Sequence, residues 1–151
     1  MDIRNKLVVN LFYLCNFFYK SKFRLIFIPL FLAYRFFAYW ILGTDIHYKT
    51  NIDRGLVVYH GVGLVINPNS VLGKNIVLRH GVTIGNYEKA NKVSGCPTLG
   101  DNINIGCGAV ILGDIIIGDN VDIYANAIVT KCVPSNSICF GYNKTRPKDV
   151  H

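Results

Sequence analysis

"TLGDNI NIGCGA VILGDI IIGDNV DIYANA IVTKCV" occupies residues 98–133, and set in sixes it reads as one motif written six times. The second place is always aliphatic: Leu99, Ile105, Ile111, Ile117, Ile123 and Val129. The sixth is small or aliphatic, from Ile103 and Ala109 to Ala127 and Val133, and Gly100, Gly106 and Gly118 follow the second-place residue. A helix repeats every 3.6 residues and a half-buried strand every two, so a period of six fits neither. The same beat runs upstream through Ile66, Leu72, Leu78 and Ile84, and before them through Ile46, Ile52 and Val58. Thirteen hexads in one chain are an architecture, not an accident.

The physical reading is a parallel β-helix, in which each hexad supplies one short strand and one turn. Three hexads close a triangular coil, so residues about eighteen places apart stack on one face. The inward aliphatic residues then form ladders along the axis. Gly or Asn supports the turns where φ is positive. The expected organisation is an apolar helical leader over 1–43, the β-helix over 44–135 and a C-terminal tail over 136–151.

Composition agrees with one domain holding a real core: 151 residues, 51% hydrophobic, with a formal net charge of +7. That balance is neither that of a disordered chain nor strongly that of a nucleic-acid binder. Five cysteines (Cys15, Cys96, Cys107, Cys132, Cys139) form an odd set without a CxxC pair or metal-ligand spacing. They read as reduced thiols of a cytoplasmic protein, and no metal is expected.

The leader is crowded with Phe, Leu, Ile and Tyr and studded with Arg4, Lys6, Lys20, Lys22, Arg24 and Arg35. No small-residue cleavage site follows the apolar run, so a signal peptide is not expected. A membrane span over residues 25–42 would carry Pro29 and Arg35 near its middle, at a cost. Two or three short helices fit better. They either cap the β-helix and join copies of it, or lie on an anionic membrane surface.

Two places break the rhythm. From Val58 to Ile66 the step is eight, so two extra residues bulge around "HGVGLV". From Ile84 to Leu99 it is fifteen, which predicts a protruding loop over 85–97. Insertions in a repeat protein map to surface loops and often to the binding face. His60 sits at the first break; Gly85 and Asn86 open the second.

With these hexads, the spacing of Asp45 and His60, and "RHGVTIGN…CPTLGDNINIGCGAVILGDIIIGDNV", the chain resembles the serine acetyltransferase group of hexapeptide acyltransferases. It looks closest to their capsular and exopolysaccharide O-acetyltransferases of the colanic-acid type. The likeness covers roughly residues 30–135, and the leader more loosely. It implies a left-handed β-helix, which periodicity alone does not fix, and assembly as a homotrimer or a multiple of it. It also implies acetyl-CoA as co-substrate.

Acetyl-CoA is already activated, so such an enzyme needs a base and not a covalent nucleophile. The resemblance makes His60 that base; imidazole, with an unperturbed pKa of about 6.5, is mostly neutral in the cytoplasm. It makes Asp45 the carboxylate that fixes the imidazole tautomer and stabilises the imidazolium. Fifteen residues of regular hexads would leave these two on mismatched faces, so their contact is implied by the resemblance and not by spacing. A backbone N–H near Gly85 and Asn86 would meet the oxyanion. Gly106, Cys107 and Ala125 are the matching positions for CoA along the outside of the coil. Lys144 and Arg146 either meet its phosphates or belong to a solvated basic tail. His47 and His151 read as solvated turn residues. His80 is a substrate contact or a structural hydrogen-bonding group, and Cys96 is loop filler or a substrate wall.

The substrate follows from departures. Serine enzymes typically have Leu-Asp-His where this chain has Val58-Tyr59-His60, and Arg-His-Pro where it has Gly95-Cys96-Pro97. The partners of a zwitterionic amino acid are therefore missing, and an unpaired buried charge is expensive. A neutral ring needs no such clamps, and Tyr59 and Tyr87 suit stacking on a sugar. The expected acceptor is a saccharide hydroxyl, free or lipid-linked, in surface-polysaccharide synthesis at the inner face of the membrane. The rivals are serine O-acetylation and a non-catalytic β-helix scaffold.

Overall fold

The computed structural model describes residues 3–89 and 92–148. Five coils of parallel strands stack into a three-faced prism, the β-helix that the hexads imply. Face A carries β1 (Thr44–Ile46), β4 (Leu64–Ile66), β7 (Thr83–Gly85), β12 (Val110–Leu112) and β15 (Ile128–Val129). Face B carries β2 (Asn51–Ile52), β5 (Val71–Leu72), β10 (Thr98–Leu99) and β13 (Ile116–Ile117). Face C carries β3 (Val57–Tyr59), β6 (Val77–Arg79), β11 (Asn104–Ile105), β14 (Asp122–Ile123) and β16 (Ser137–Phe140), with β17 (Lys144–Pro147) antiparallel at its upper edge.

Registers follow the hexads. Ile66 pairs with Ile84, and Ile111 with Val129, each eighteen residues on. All thirteen second-place residues point inward and are buried, Val58, Leu78, Ile105 and Ile123 forming the ladder of face C. Each such side chain contributes roughly 1.5–3 kcal/mol on burial.

Between faces B and C, Asn75, Asn102, Asn120 and Asn136 all have φ of 57° and stand one above another. Asn75 donates its side-chain amide to Asn102, and Asn120 donates to Asn136. Asn tolerates the left-handed region better than other non-glycine residues, and here its amide adds a bond between coils.

Such a prism has two open ends where coil backbone lacks a neighbour. The leader closes the lower one. Helix α1 (Ile3–Tyr19) buries Val8, Val9, Phe12 and Cys15 under the first coil. Its polar side chains meet that coil's unpaired backbone: Asn16 donates to the carbonyls of Tyr48 and Thr50, and Tyr13 donates to that of Asp53. Helix α2 (Ile28–Arg35) continues as a π-helical turn (Phe36–Ile41), and Tyr34 donates from its buried hydroxyl to the carbonyl of Ile46. Among the described residues no helix is long and apolar enough to cross a membrane. The apolar run over 25–42 is a loop end, a short helix and a π turn.

At the upper end, most of the segment read from sequence as a tail is folded. Residues Ser137–Phe140 and Lys144–Pro147 form the β16–β17 hairpin, because β14 would otherwise present a bare edge. His151 lies outside the described residues. The expected loop after Ile84 carries a small hairpin of its own, β8 (Glu88–Lys89) with β9 (Lys92–Val93).

The capping role has a measurable consequence. Asn16→Ala strips two carbonyls at the covered end of their donor, and should destabilise the protein by about 1–3 kcal/mol in chemical denaturation. Tyr34→Phe should cost about 1 kcal/mol.

Candidate active site

The site begins at the first break in the hexads. Tyr59 pairs with Arg79, twenty residues on, whereas Gly63 stacks on Gly81, eighteen on. The two additional residues are therefore His60 and Gly61. Squeezed out of register, His60 takes φ of 52° and is exposed. A non-glycine residue in that region needs surrounding structure to hold it. Gly61 supplies the hold: it is buried, its N–H donates to the side-chain oxygen of Asn5 on α1, and its carbonyl accepts from the hydroxyl of Thr44. A Cβ at Gly61 would stand 2.8 Å from the Thr44 hydroxyl and 3.0 Å from Val58. The histidine projects because the glycine beside it is pinned inward.

Asp45 lies across the same edge of the prism. It points outward from β1, two residues beyond Gly43, whose carbonyl accepts from the N–H of Gly63 at 2.7 Å. Asp45 thus stands on face A, while His60 stands at the corner where face C turns into it. Fifteen residues carry the chain nearly round a twenty-residue coil, back to the edge adjoining its start. Among the described residues no hydrogen bond joins the two side chains. The Asp45 carboxylate instead accepts from the Arg35 guanidinium at 2.5 Å, and each side chain of the pair is about 30% exposed.

This ion pair forms one end of a cavity of about 410 Å³ along face A, lined also by His47, Asn67, Pro68, Thr83, Gly85 and Asn86. The amide of Asn67 donates to Asn86 at 2.6 Å. Burial, then Arg35 and Lys49, push the His47 imidazole below its ordinary pKa. Its Nδ1 accepts from the N–H of Lys49 at 3.1 Å, so the neutral ring carries its proton on Nε2. His47, read from sequence as a solvated turn residue, is a half-buried wall of this cavity. Arg35, His47 and Asn67 escaped the sequence reading as site residues. One signal was available: Asp45 is the first carboxylate after a long cation-bearing apolar run.

Four other candidates, His80, Gly106, Cys107 and Ala125, fall along the edge between faces C and A. Its rungs Gly43, Gly63, Gly81, Gly108 and Asn126 all have φ between 57° and 72°. His80 is exposed and gives its carbonyl to the N–H of Gly108; Cys107 gives its own to Asn126. Gly106 packs so tightly under the backbone of Ala125 that a Cβ there would collide with it. His60, His80, Cys107 and Ala125 thus follow one another up a single edge.

Tyr59 is partly exposed beside His60, with the Arg79 guanidinium 5.9 Å from its ring centre. Tyr87 lies instead at the base of the protruding loop, its ring against Gly113, which has no Cβ to exclude it. Cys96 is half-buried at the other end of that loop, and burial raises its thiol pKa, which disfavours a thiolate nucleophile. Lys144 is on β17 at the top of the prism, exposed, beside a small hollow it shares with Lys131 and Cys132. Among the described residues no three His, Cys, Asp or Glu side chains are grouped to hold a metal.

Known proteins agree with this architecture. The family model "Bacterial transferase hexapeptide (six repeats)" matches residues 96–131. A serine acetyltransferase of Helicobacter pylori is 42% identical over 113 residues, covering 74% of this chain and 66% of that protein. The Escherichia coli K12 protein named as a colanic acid biosynthesis acetyltransferase, WcaB, is 35% identical over 122 residues, covering 81% and 74% respectively. Among solved structures, a serine acetyltransferase of Neisseria gonorrhoeae superposes with a TM-score of 0.78 at 29% identity, over 98% of this chain and 58% of that one. The chain therefore spans about two thirds of the Helicobacter protein and little more than half of the Neisseria one. With its repeats, prism and relatives in agreement, the chain belongs to the hexapeptide-repeat transferases, as a serine-acetyltransferase-like acyltransferase.

Proposed function

We propose that the protein is an acetyl-CoA-dependent O-acetyltransferase whose acceptor is a saccharide hydroxyl and whose general base is His60. The observation that carries this reading is the two-residue bulge. A regular prism has no structural need to eject a histidine from its edge and pin the next residue from two directions. In the reaction, the acceptor oxygen attacks the thioester carbonyl while a ring nitrogen of His60 takes its proton. The carbon–oxygen bond forms, and the tetrahedral oxyanion is met by a backbone N–H near Gly85 or Asn86. Collapse breaks the carbon–sulfur bond, and the imidazolium returns its proton to the departing thiolate of CoA. The products are an acetyl ester and free CoA thiol. Asp45, on face A beside the edge that carries His60, is assigned as the carboxylate that steadies the imidazolium, a role in which it would exchange its Arg35 partner for the ring. The edge bearing Gly106, Cys107 and Ala125 offers a narrow strip of small side chains for the pantetheine arm, and Lys144 at its upper end offers a cation for a phosphate.

The acceptor assignment rests on Tyr59 beside His60 and on residues of face A and its far edge. Tyr59 supplies an aromatic face with Arg79 beside it, and Cys96 stands where serine enzymes carry a charged clamp. The cavity of about 410 Å³ holding Arg35, Asp45 and Asn67 is large enough for one sugar ring. The chain would act in the cytoplasm as a trimer with active sites between neighbouring prisms, on intermediates assembled at the inner membrane face. Serine O-acetylation is the second reading, favoured by the 42% identity to the Helicobacter serine acetyltransferase.

Thiol release from acetyl-CoA, followed with L-serine beside a panel of sugars and lipid-linked oligosaccharides, separates the two. Saccharide turnover with silence on serine is the expected result; turnover on serine alone overturns the acceptor assignment. His60→Ala should lower kcat by a factor of about 10²–10⁴ without loss of the thermal transition. Gly61→Ala should lower kcat and the thermal midpoint together, because its Cβ crowds Thr44 and the buried Val58 as it shifts His60. Normal turnover in His60→Ala would remove the base assignment.

A further inference from the structure

The leader has two apolar faces, and capping consumes only one. On α1 the inward stripe of Val8, Phe12 and Cys15 covers the first coil, while Ile3, Leu7, Leu14 and Phe17 recur at helical spacing on the opposite side and are exposed. On α2 and the π turn, Phe31, Tyr34 and Ala38 are buried, while Ile28, Leu32, Phe36 and Trp40 face out. Between the helices, Phe23, Leu25 and Ile26 are each about 70% exposed at the tip of the connection. Apolar area on this scale marks an interaction surface.

We infer that this outer face of the leader docks on an anionic phospholipid bilayer, lying in its interface without crossing it. Charge selects the occupant. Residues 3–41 contain six Lys and Arg and no Asp or Glu. Two copies of such a face would repel each other, whereas an anionic surface attracts it. Lys20, Lys22 and Arg24 alternate with Phe23 and Leu25 on the exposed connection, the mix of cations and large apolar groups that an interface rewards.

A groove of about 310 Å³ opens on the same side, lined by Leu25, Ile28, Phe31 and Tyr48, with Tyr19 in its wall. Arg24 and Lys49 stand at 6.0 and 5.7 Å from the Tyr19 ring centre, two cations beside one aromatic ring. These cations suit the phosphate of a lipid headgroup, and the apolar lining of the groove suits part of an acyl chain. Trp40 and Tyr39, edge to face at 5.5 Å and both exposed, suit the headgroup level of the same surface.

Flotation of the full chain with phosphatidylglycerol–phosphatidylcholine vesicles, beside phosphatidylcholine vesicles alone, tests this without reading acetyl transfer. It therefore stands or falls apart from the proposed activity. The expected result is binding to the anionic vesicles, weakened by salt, and little to the neutral ones. Lys22→Gln with Arg24→Gln should weaken binding roughly thirtyfold, a factor of about five per cation. Phe23→Ser with Leu25→Ser should release the protein while its thermal transition is kept. Failure of the wild type to float with anionic vesicles overturns the inference. So does a fall in oligomeric mass of the Phe23→Ser, Leu25→Ser variant in sedimentation with vesicle binding unchanged, which would make the face a contact between copies.

Discussion

Every feature of this protein is measured against one constraint, the stacking of coil on coil. A rung of backbone N–H groups must meet the carbonyls of the coil below, so each coil must repeat the shape of its neighbour at the edges as well as on the faces. Gly106 under Ala125 and the Asn ladder between faces B and C are solutions to that demand. Regularity is cheap where six residues suffice for a strand and a corner. An irregularity must be held in place by something outside the repeat.

The bulge at His60 is such an irregularity, and its supports come from two places. Thr44 belongs to the first coil, but Asn5 belongs to α1. The helix that covers the open end of the prism therefore also holds the residue beside the proposed base. Arg35 ties the same leader to Asp45 across the same edge. Capping and site-building are one arrangement here: the first coil lacks a coil beneath it, so its outward and downward groups are free to meet side chains of another kind.

The hexads were legible because a solenoid is nearly one-dimensional: each residue's burial depends on its place in the six and little on distant chain. Thus Ile84, Ile105 and Ile123 could be assigned inward from sequence, and the two breaks could be located. The partners of the breaks could not. Nothing in the order of residues says that Asn5 reaches Gly61, fifty-six positions away, or that Arg35 engages Asp45. His47 and the C-terminal residues were misjudged for the same reason. A residue that looks like a turn or a tail becomes a wall or a strand when an open edge beside it has to be closed.

The sequence by itself determined the prism, its inward ladders, the protruding loop and the position of His60 at an interruption, since all of these are local consequences of a period of six. Only the tertiary structure decided which end of the chain caps the prism and which side chains hold the interruption. It also decided that Asp45 opens face A beside the edge that carries His60. That placement arises because a coil of twenty residues returns Gly63 to Gly43, and only closure of the coil converts a separation along the chain into a proximity in space.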